Sequence, residues 1–184
     1  MGVRGIGAIG AVALALSLGA CAHRGETKGG NGAMGEGPAA TARIEAKSGS
    51  DVSGTADFMT LEDGRVQVVV NLSGLTPGPH GLHLHEKGDC SAPDASSAGS
   101  HWNPTGEPHG GPEAPEHHAG DFGNVIAGDD GKANLVLETD AFSVGGENDV
   151  IGRAIIVHAD ADDLTTQPTG NSGGRIGCGV IEAR

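Results

Sequence analysis

Two histidines separated by one leucine lie near the middle of the chain, in the stretch Gly81–Gly88. On a β-strand, side chains two residues apart point to the same face. Leu82 and Leu84 would therefore enter a core. His83 and His85 would project together from the opposite face, where two imidazoles can bind one metal ion. Two solvent-facing histidines on a strand would give the same pattern, so the pair alone leaves both readings open.

The long segment after this pair supplies more groups that bind metals. It contains His101, His109, His117 and His118, and Asp121 follows. Seven residues lie between His101 and His109, eight between His109 and His118, and two between His118 and Asp121. Four nitrogen or oxygen ligands suit a closed tetrahedral zinc site. A solvated loop that binds metal only adventitiously would have a similar composition.

A further histidine, His158, ends a late apolar run and could join His83 and His85. Three or four imidazoles suit copper, because its coordination geometry can change between two oxidation states. Taken by themselves, the histidines and the aspartate indicate one or two transition-metal sites on a β-scaffold.

Short alternating runs separated by turn residues must position these ligands. Strands are predicted at about Arg43–Ala46, Thr55–Leu61, Val66–Leu72, Leu82–His85, Asn124–Ala127, Ala133–Leu137 and Ile151–His158. Because Asp129-Asp130-Gly131 is a turn signal, the fifth and sixth of these are predicted to form a β-hairpin. Strands of this length and spacing favour an all-β sandwich or barrel. Two long polar segments, Gly88–Gly120 and Asp160–Gly174, adjoin histidine-bearing strands, which favours functional loops.

Composition narrows the possible partners and the kind of core. The chain has 184 residues and a net charge of −13, which argues against nucleic acid and gives no general attraction for anionic lipid. With three Phe and one Trp, the core must be built mainly from Val, Ile, Leu and Ala. The 34 glycines favour turns and loops over long helices.

The first forty residues predict export and anchoring rather than a folded domain. Arg4 precedes the uncharged run Gly5–Ala20, which is shorter than the roughly 20 residues of a membrane span. The run and the Cys21 that follows are similar to a bacterial lipobox, with a signal peptide at 1–20 and lipidation of Cys21. An ordinary signal peptide with a cysteine near the cut is the alternative. Residues 21–40 predict a glycine-rich flexible tether, and 41–184 the domain.

The chain from about Ile44 to Ile181 resembles the copper–zinc superoxide dismutases. The resemblance rests on Gly81–Glu86, His101–Pro104, His109–Pro112, His118–Asn124, Gly152–His158, and Gly170-Asn171 through Arg175 to Cys178–Ile181. It implies a flattened eight-stranded Greek-key β-barrel with two long functional loops. It also implies disproportionation of superoxide to oxygen and hydrogen peroxide, with a catalytic copper and a structural zinc.

The resemblance implies a role for each candidate residue. The copper ligands would be His83, His85, His101 and His158, and the zinc ligands His101, His109, His118 and Asp121. His101 would bridge the two metals and carry a proton during the reaction. Asp162 would accept hydrogen bonds from the free ring nitrogens of His83 and His109. Cys90 and Cys178 would form the family's disulfide, which leaves Cys21 as the odd cysteine.

The substrate implied by the resemblance is an anion, whereas the chain is strongly acidic. Arg175 matches the family's anion-guiding arginine and would hold superoxide beside the copper. The segment Ala159–Gly174 contains three aspartates and no Lys or Arg, although the family often has basic residues there. The strength of electrostatic steering is therefore open, and Lys87 is a weak candidate for a substitute.

Two other functions compete with the enzyme. A non-catalytic copper- and zinc-binding lipoprotein on the same fold would be expected to lack a copper-side histidine or Arg175, and this chain has them all. An adhesion-type β-sandwich leaves the histidine spacing unexplained. The expected location is exported, periplasmic or at the cell surface, with a lipid anchor in a bacterial membrane. The sequence leaves open which membrane, and whether the chain forms a homodimer.

Overall fold

Eight β-strands make up nearly all the regular structure of residues 39–184, the part of the chain that the computed structural model describes. They are β1 (Ala39–Ala46), β2 (Ser53–Thr60), β3 (Val66–Ser73), β4 (Gly78–His85), β5 (Asp121–Ala127), β6 (Ala133–Thr139), β7 (Ala154–His158) and β8 (Arg175–Ala183). Helical structure in these residues is limited to the 3₁₀ turn Ser96–Ala98. Within the same residues, no helix has the length and apolar character needed to cross a membrane.

The strands form one antiparallel sheet in the order β5-β4-β7-β8-β1-β2-β3-β6. The edge strands β5 and β6 approach each other, so the sheet is a nearly closed barrel. Strands β3 and β4 are consecutive in the chain but far apart in the sheet, as in Greek-key connections. The predicted all-β class and eight-stranded barrel are confirmed.

The predicted hairpin between the fifth and sixth strand segments is wrong. β5 pairs with β4, where Val125 lies opposite His80, and β6 pairs with β3, where Leu137 lies opposite Val68. Gly131, at φ +71°, does reverse the chain. Its carbonyl oxygen, however, accepts a hydrogen bond from the Leu75 N–H at 3.1 Å, which leads β6 onto the end of β3. Turn residues specify a reversal, whereas the pairing partner depends on distant strands.

The barrel core is aliphatic and follows the alternation of the strands. In β3, Val66, Val68, Val70 and Leu72 are buried, while the residues between them face outward. In β4, Leu82 and Leu84 are fully buried in the same core. The aromatic residues join it as Phe58, Trp102, Phe122 and Phe142. This arrangement fixes one face of β4 in the core and leaves the other face to the histidines.

Several strand boundaries differ from the sequence expectation, among them the first residues of β1 and β7. β1 begins at Ala39 and buries Ala40, so the last two residues of the predicted tether lie in a strand. β7 begins at Ala154 because a turn precedes it, in which the N–H of Arg153 donates to the carbonyl of Val150 at 3.1 Å. The predicted signal peptide, Cys21 and the rest of the tether to residue 38 lie outside the described residues.

Two long loops, residues 86–120 between β4 and β5 and 159–174 between β7 and β8, cover the histidine face of β4. A disulfide between Cys90 and Cys178 joins the first loop to β8, with Cα atoms 5.8 Å apart. Beneath this loop a small apolar cluster forms from Ala95, Ala98, Ala154, Ile156 and Cys178. The loops are therefore packed structures, and both faces of β4 are buried.

Candidate metal centre

Strand pairing brings three of the candidate histidines together. His83 and His85 project from one face of β4 and are at most 1% exposed. β7 pairs antiparallel with β4, with Leu82 opposite Val157. This register places His158 beside the pair, with ring centroids 4.9 Å from His83 and 5.7 Å from His85.

His101 reaches the same place because the first loop folds back onto the end of β4. The N–H of Trp102 donates to the carbonyl of Leu84, and the N–H of Leu84 donates to the carbonyl of Gly120, both at 2.8 Å. These bonds extend the sheet locally and set His101 opposite His85 in an isolated β-bridge. The His101 ring centroid lies 4.0 Å from that of His83.

The buried ligand-type side chains form two clusters that share one histidine. The four-histidine cluster consists of His83, His85, His101 and His158, and the aspartate cluster of His101, His109, His118 and Asp121. In each cluster, one possible ligand atom from every residue lies within 4.8 Å of the others. The ring of His101 lies between the two clusters.

One ring nitrogen of each of these six histidines is buried without a hydrogen-bond partner. The atoms are Nδ1 of His83, Nε2 of His85, Nε2 of His101, Nδ1 of His109, Nδ1 of His118 and Nε2 of His158. Buried polar atoms without partners are costly. A metal ion in each cluster would satisfy them, and the donors fit: four imidazoles suit copper, and three imidazoles with a carboxylate suit zinc.

In His85 and His158, the contact made by Nδ1 leaves Nε2 to point into the four-histidine cluster. Nδ1 of His85 donates to the carbonyl oxygen of Gly99 at 3.0 Å, and Nδ1 of His158 lies 3.3 Å from the carbonyl oxygen of Gly173. Burial lowers the pKa of His83 to about 4, that of His158 to about 3 and that of His85 to about 2. The three rings are therefore neutral at neutral pH, the form that binds a metal ion.

In the aspartate cluster, contacts with neighbouring groups outweigh the effect of burial on the pKa values of Asp121 and His109. Burial by itself would raise the pKa of Asp121, but contacts with His101 and His109 and the N–H of Gly110 hold it well below its usual range. Burial would lower the pKa of His109, but the carboxylates of Asp121 and Asp162 raise it to about 9. The ionised carboxylates thus favour a positive charge at this position.

Asp162, from the second loop, joins the two clusters through hydrogen bonds. Its Oδ2 accepts from Nε2 of His83 at 2.7 Å, and its Oδ1 accepts from Nε2 of His109 at 2.9 Å. The side chain of Asn124, on β5, holds the main chain of Asp162 by pairing with both its N–H and its carbonyl at 2.8 Å. Gly170 makes the approach possible, because a Cβ there would lie 1.8 Å from Oδ1 of Asp162.

Arg175 begins β8 at the edge of the four-histidine cluster. Its guanidinium donates to the carbonyl of Ala95 at 2.8 Å and to that of Gly99 at 2.7 Å. The carbonyl of Gly99 is the same one that accepts from His85. Ala95 is fully buried with φ +57°, a left-handed conformation that is uncommon for alanine. Burial lowers the pKa of Arg175, which nevertheless stays cationic at ordinary pH.

Two residues singled out by the sequence lie outside both clusters. Nδ1 of His117 is bonded to the carbonyl of His118 at 2.8 Å, so the second histidine of the pair is the one that enters the aspartate cluster. Lys87 is exposed, and its charge acts on Asp89. No contact in the described residues ties this lysine to Arg175.

Several supporting residues were missed by sequence reasoning. His80 is 2% exposed, with ring nitrogens 2.9 Å from the carbonyl oxygen of His158 and 2.8 Å from that of Thr76. Asn124 and the carbonyls of Ala95 and Gly99 also act through hydrogen bonds across loops. Main-chain carbonyls have no signature in the sequence, and an isolated Asn or His has too many possible roles.

Comparison with known families agrees with this geometry. The family model described as copper/zinc superoxide dismutase (SODC) matches residues 52–181. The matched span runs from the residue before β2 into β8 and includes both clusters, Asp162, Arg175 and the disulfide. The chain belongs to the copper/zinc superoxide dismutase family.

Proposed function

We propose that the protein catalyses the disproportionation of superoxide, in which two superoxide anions and two protons give one oxygen and one hydrogen peroxide. The observation that carries the proposal is the pair of buried clusters that share His101, with six buried ring nitrogens left without hydrogen-bond partners. Membership of the family supports the same reaction. A purely structural role would not favour six unsatisfied nitrogens aimed at two centres.

We assign His83, His85, His101 and His158 as the copper ligands and His101, His109, His118 and Asp121 as the zinc ligands. When bound there, copper supplies one-electron redox chemistry and zinc supplies a fixed charge without redox change. Asp162 holds the rings of His83 and His109 in orientation through their second nitrogens. The protein thereby keeps both sets of ligands in a fixed relation.

His101 is assigned as the proton carrier of the reaction. Its Nδ1 contacts Oδ1 of Asp121 at 3.1 Å, while its Nε2 is buried and unpaired on the side of the four-histidine cluster. This Nε2 could hold a proton only while it is not a ligand of copper. A proton held there could then pass to the peroxide product, because the ring faces the four-histidine cluster. The contact with Asp121 keeps the ring from turning away.

Arg175 is assigned to bind superoxide by its positive charge. Its two carbonyl partners hold the guanidinium in place, and one of them also holds His85, so the cation and a copper ligand share an anchor. The net charge of −13 and the three aspartates of the second loop oppose the approach of an anion. The local cation must therefore outweigh a repulsive surrounding field.

The proposal includes export and lipidation of Cys21. Its support is the uncharged run that ends at this cysteine and the Cys90–Cys178 disulfide, which is typical of oxidising compartments. Cys21→Ser is expected to move the protein from the membrane fraction to the soluble exported fraction of a bacterial host, with activity retained. A wild-type protein found unlipidated by intact mass would contradict the anchor.

Metal reconstitution tests the proposed activity. Metal-free protein is loaded with one equivalent each of zinc and copper, and superoxide consumption is followed in the presence and absence of cyanide. Cyanide-sensitive catalysis that appears only after copper loading is the expected result. Stoichiometric metal binding without superoxide consumption would favour the competing function, a copper- and zinc-binding protein without enzymatic activity.

A further inference from the structure

The side chain of Gln167, in the second loop, forms a two-point hydrogen-bond pair with the main chain of His109. Its Oε1 accepts from the N–H of His109 and its Nε2 donates to the carbonyl of His109, both at 2.8 Å. Within residues 39–184, the main chain of His109 makes no other hydrogen bond. A ligand on a strand has its main-chain groups bonded to a neighbouring strand. For His109, the side-chain amide of Gln167 provides these bonds instead.

His109 needs such a partner because of where it lies. It is 3% exposed and belongs to the first loop, so it is not a member of any strand. Buried main-chain groups require partners. Two bonds, one on each side of the residue, also fix the rotation of its backbone, and with it the direction in which the imidazole leaves the chain.

The fixed direction matters because the ring has to meet two carboxylates at once. Nδ1 of His109, which has no hydrogen-bond partner, lies 3.0 Å from Oδ2 of Asp121, so both atoms can ligate one ion. Nε2 donates to Oδ1 of Asp162 at 2.9 Å. A rotation of the backbone at His109 would move both ring nitrogens relative to these carboxylates. The pair with Gln167 therefore acts on the ring through the main chain, at the point where the two loops meet.

Gln167 is itself held in a closed turn. The N–H of Asp163 donates to the carbonyl of Gly170 at 2.8 Å, and the N–H of Gly170 donates to the carbonyl of Thr166 at 2.7 Å. The carboxylate of Asp163 accepts from the N–H groups of Thr165 and Thr166 at 3.0 and 2.7 Å. The turn presents the Gln167 amide in one orientation, although the residue as a whole is exposed.

We infer that Gln167 is a positioning residue of the aspartate cluster, which acts on zinc through His109. The inference rests on the proposed assignment of that cluster to zinc. Loss of the two hydrogen bonds is expected to lower zinc affinity by about 10- to 100-fold, the range found when groups that orient a ligand are removed. Copper affinity changes less, because His109 is not part of the four-histidine cluster.

Two variants and one control separate this role from simple packing. Gln167→Met keeps the size of the side chain and removes both hydrogen bonds to His109, together with a longer one from Nε2 to the carbonyl of Thr165 at 3.3 Å. Gln167→Ala removes the size as well as the bonds. Thr169→Ala alters an exposed residue of the same loop whose own side chain makes no hydrogen bond in the described residues. The substitution keeps the Thr169 carbonyl, which accepts from the Ser172 hydroxyl at 3.1 Å. Thermal unfolding of the metal-free proteins checks that all three variants fold.

Zinc affinity is measured by competition with a chromophoric chelator, and the geometry of the cluster by the visible absorption of bound Co²⁺. The Met and Ala variants should bind zinc 10- to 100-fold more weakly and show an altered Co²⁺ spectrum, with the control unchanged. Amide exchange at His109 should accelerate in the same two variants. Wild-type affinity and spectrum in the Met variant would overturn the role of Gln167 alone. Failure of the wild-type protein to bind zinc would overturn the zinc assignment and this inference together.

Discussion

His83 and His109 belong to different clusters, yet both donate to the single carboxylate of Asp162, at 2.7 and 2.9 Å. The carboxylate is buried, and contacts with the two histidines outweigh burial and hold its pKa below the usual range. A displacement of either imidazole therefore alters the hydrogen bond of the other, because both share one ionised carboxylate. This connection makes the two proposed metal sites one mechanical unit.

Replacement of Asp162 tests this connection directly. Asp162→Asn keeps the size of the side chain but removes the charge and one acceptor, so one of the two imidazoles loses its partner. Zinc affinity is expected to fall about 10- to 100-fold, with a smaller fall for copper. Chelator competition on each metal provides the measurement. Asp160→Asn, an exposed carboxylate of the same loop, is the matched control, and equal effects of both substitutions would contradict a specific role for Asp162.

Gly170 provides a steric test of the same contact. Its φ is +63°, and a Cβ would lie 1.8 Å from Oδ1 of Asp162 and 2.6 Å from Nε2 of His109. Gly170→Ala should therefore displace the bridge and lower the free energy of unfolding by about 1–3 kcal/mol through backbone strain, besides weakening zinc binding.

The control for this substitution is Gly174→Ala, in the same loop. Gly174 has no positive φ, and a Cβ there would meet no heavy atom within 4 Å. Urea unfolding of the metal-free variants should separate the two. If Gly174→Ala destabilises as much as Gly170→Ala, the effect comes from the loop in general and not from the bridge.

The sequence was most informative where the position of a side chain follows from alternation along a single strand. Alternation in β3 and β4 predicted which side chains enter the core, and the structure brings together every histidine that was singled out as a ligand. The pairing of β5 and β6 was not predictable in the same way. It depends on contacts between residues far apart in the chain, such as the ladder between β3 and β6 and the bond from Leu75 to the carbonyl of Gly131.

The supporting residues of the site were not predictable for a related reason. Gln167 and Asn124 act on the main chain of His109 and Asp162, which lie in loops whose mutual position is set by the folded barrel. A carbonyl such as that of Gly99 has no residue-specific chemistry at all. Their roles appear only once the loops are in place.

Removal of the disulfide is expected to affect both stability and the position of Arg175. Cys90 and Cys178 are 88 residues apart, and the loop they fix carries the carbonyls of Ala95 and Gly99. The double variant Cys90→Ser, Cys178→Ser should lose about 2–5 kcal/mol in the free energy of unfolding. Urea titrations with and without reductant measure this loss. A reduced wild-type protein as stable as the oxidised one would argue against the contribution of the disulfide.

Arg175 is expected to affect the rate of reaction with superoxide and to leave the metal content of the protein unchanged. Arg175→Ala should retain both metals and lose about tenfold or more in rate constant, because steering of an anion by a local cation, for which superoxide dismutases are themselves an established example, is worth about 10- to 1000-fold. The wild-type rate should fall as ionic strength rises, and that of the variant should not.

The substitution Arg175→Lys separates charge from geometry at the same position. Lysine keeps the positive charge but lacks the planar fork that donates to Ala95 and Gly99 at once, so an intermediate rate is expected. A copper-loaded Arg175→Ala protein with the wild-type rate and salt dependence would rule out the guiding role.

The most direct test of the proposed activity is the product stoichiometry under excess superoxide. The copper- and zinc-loaded protein is mixed with superoxide in large molar excess, and the oxygen and hydrogen peroxide formed are measured over many turnovers. One oxygen and one hydrogen peroxide are expected for every two superoxide anions consumed, with no turnover by the metal-free protein. Consumption that stops after one equivalent per copper, or that yields peroxide without oxygen, would contradict it.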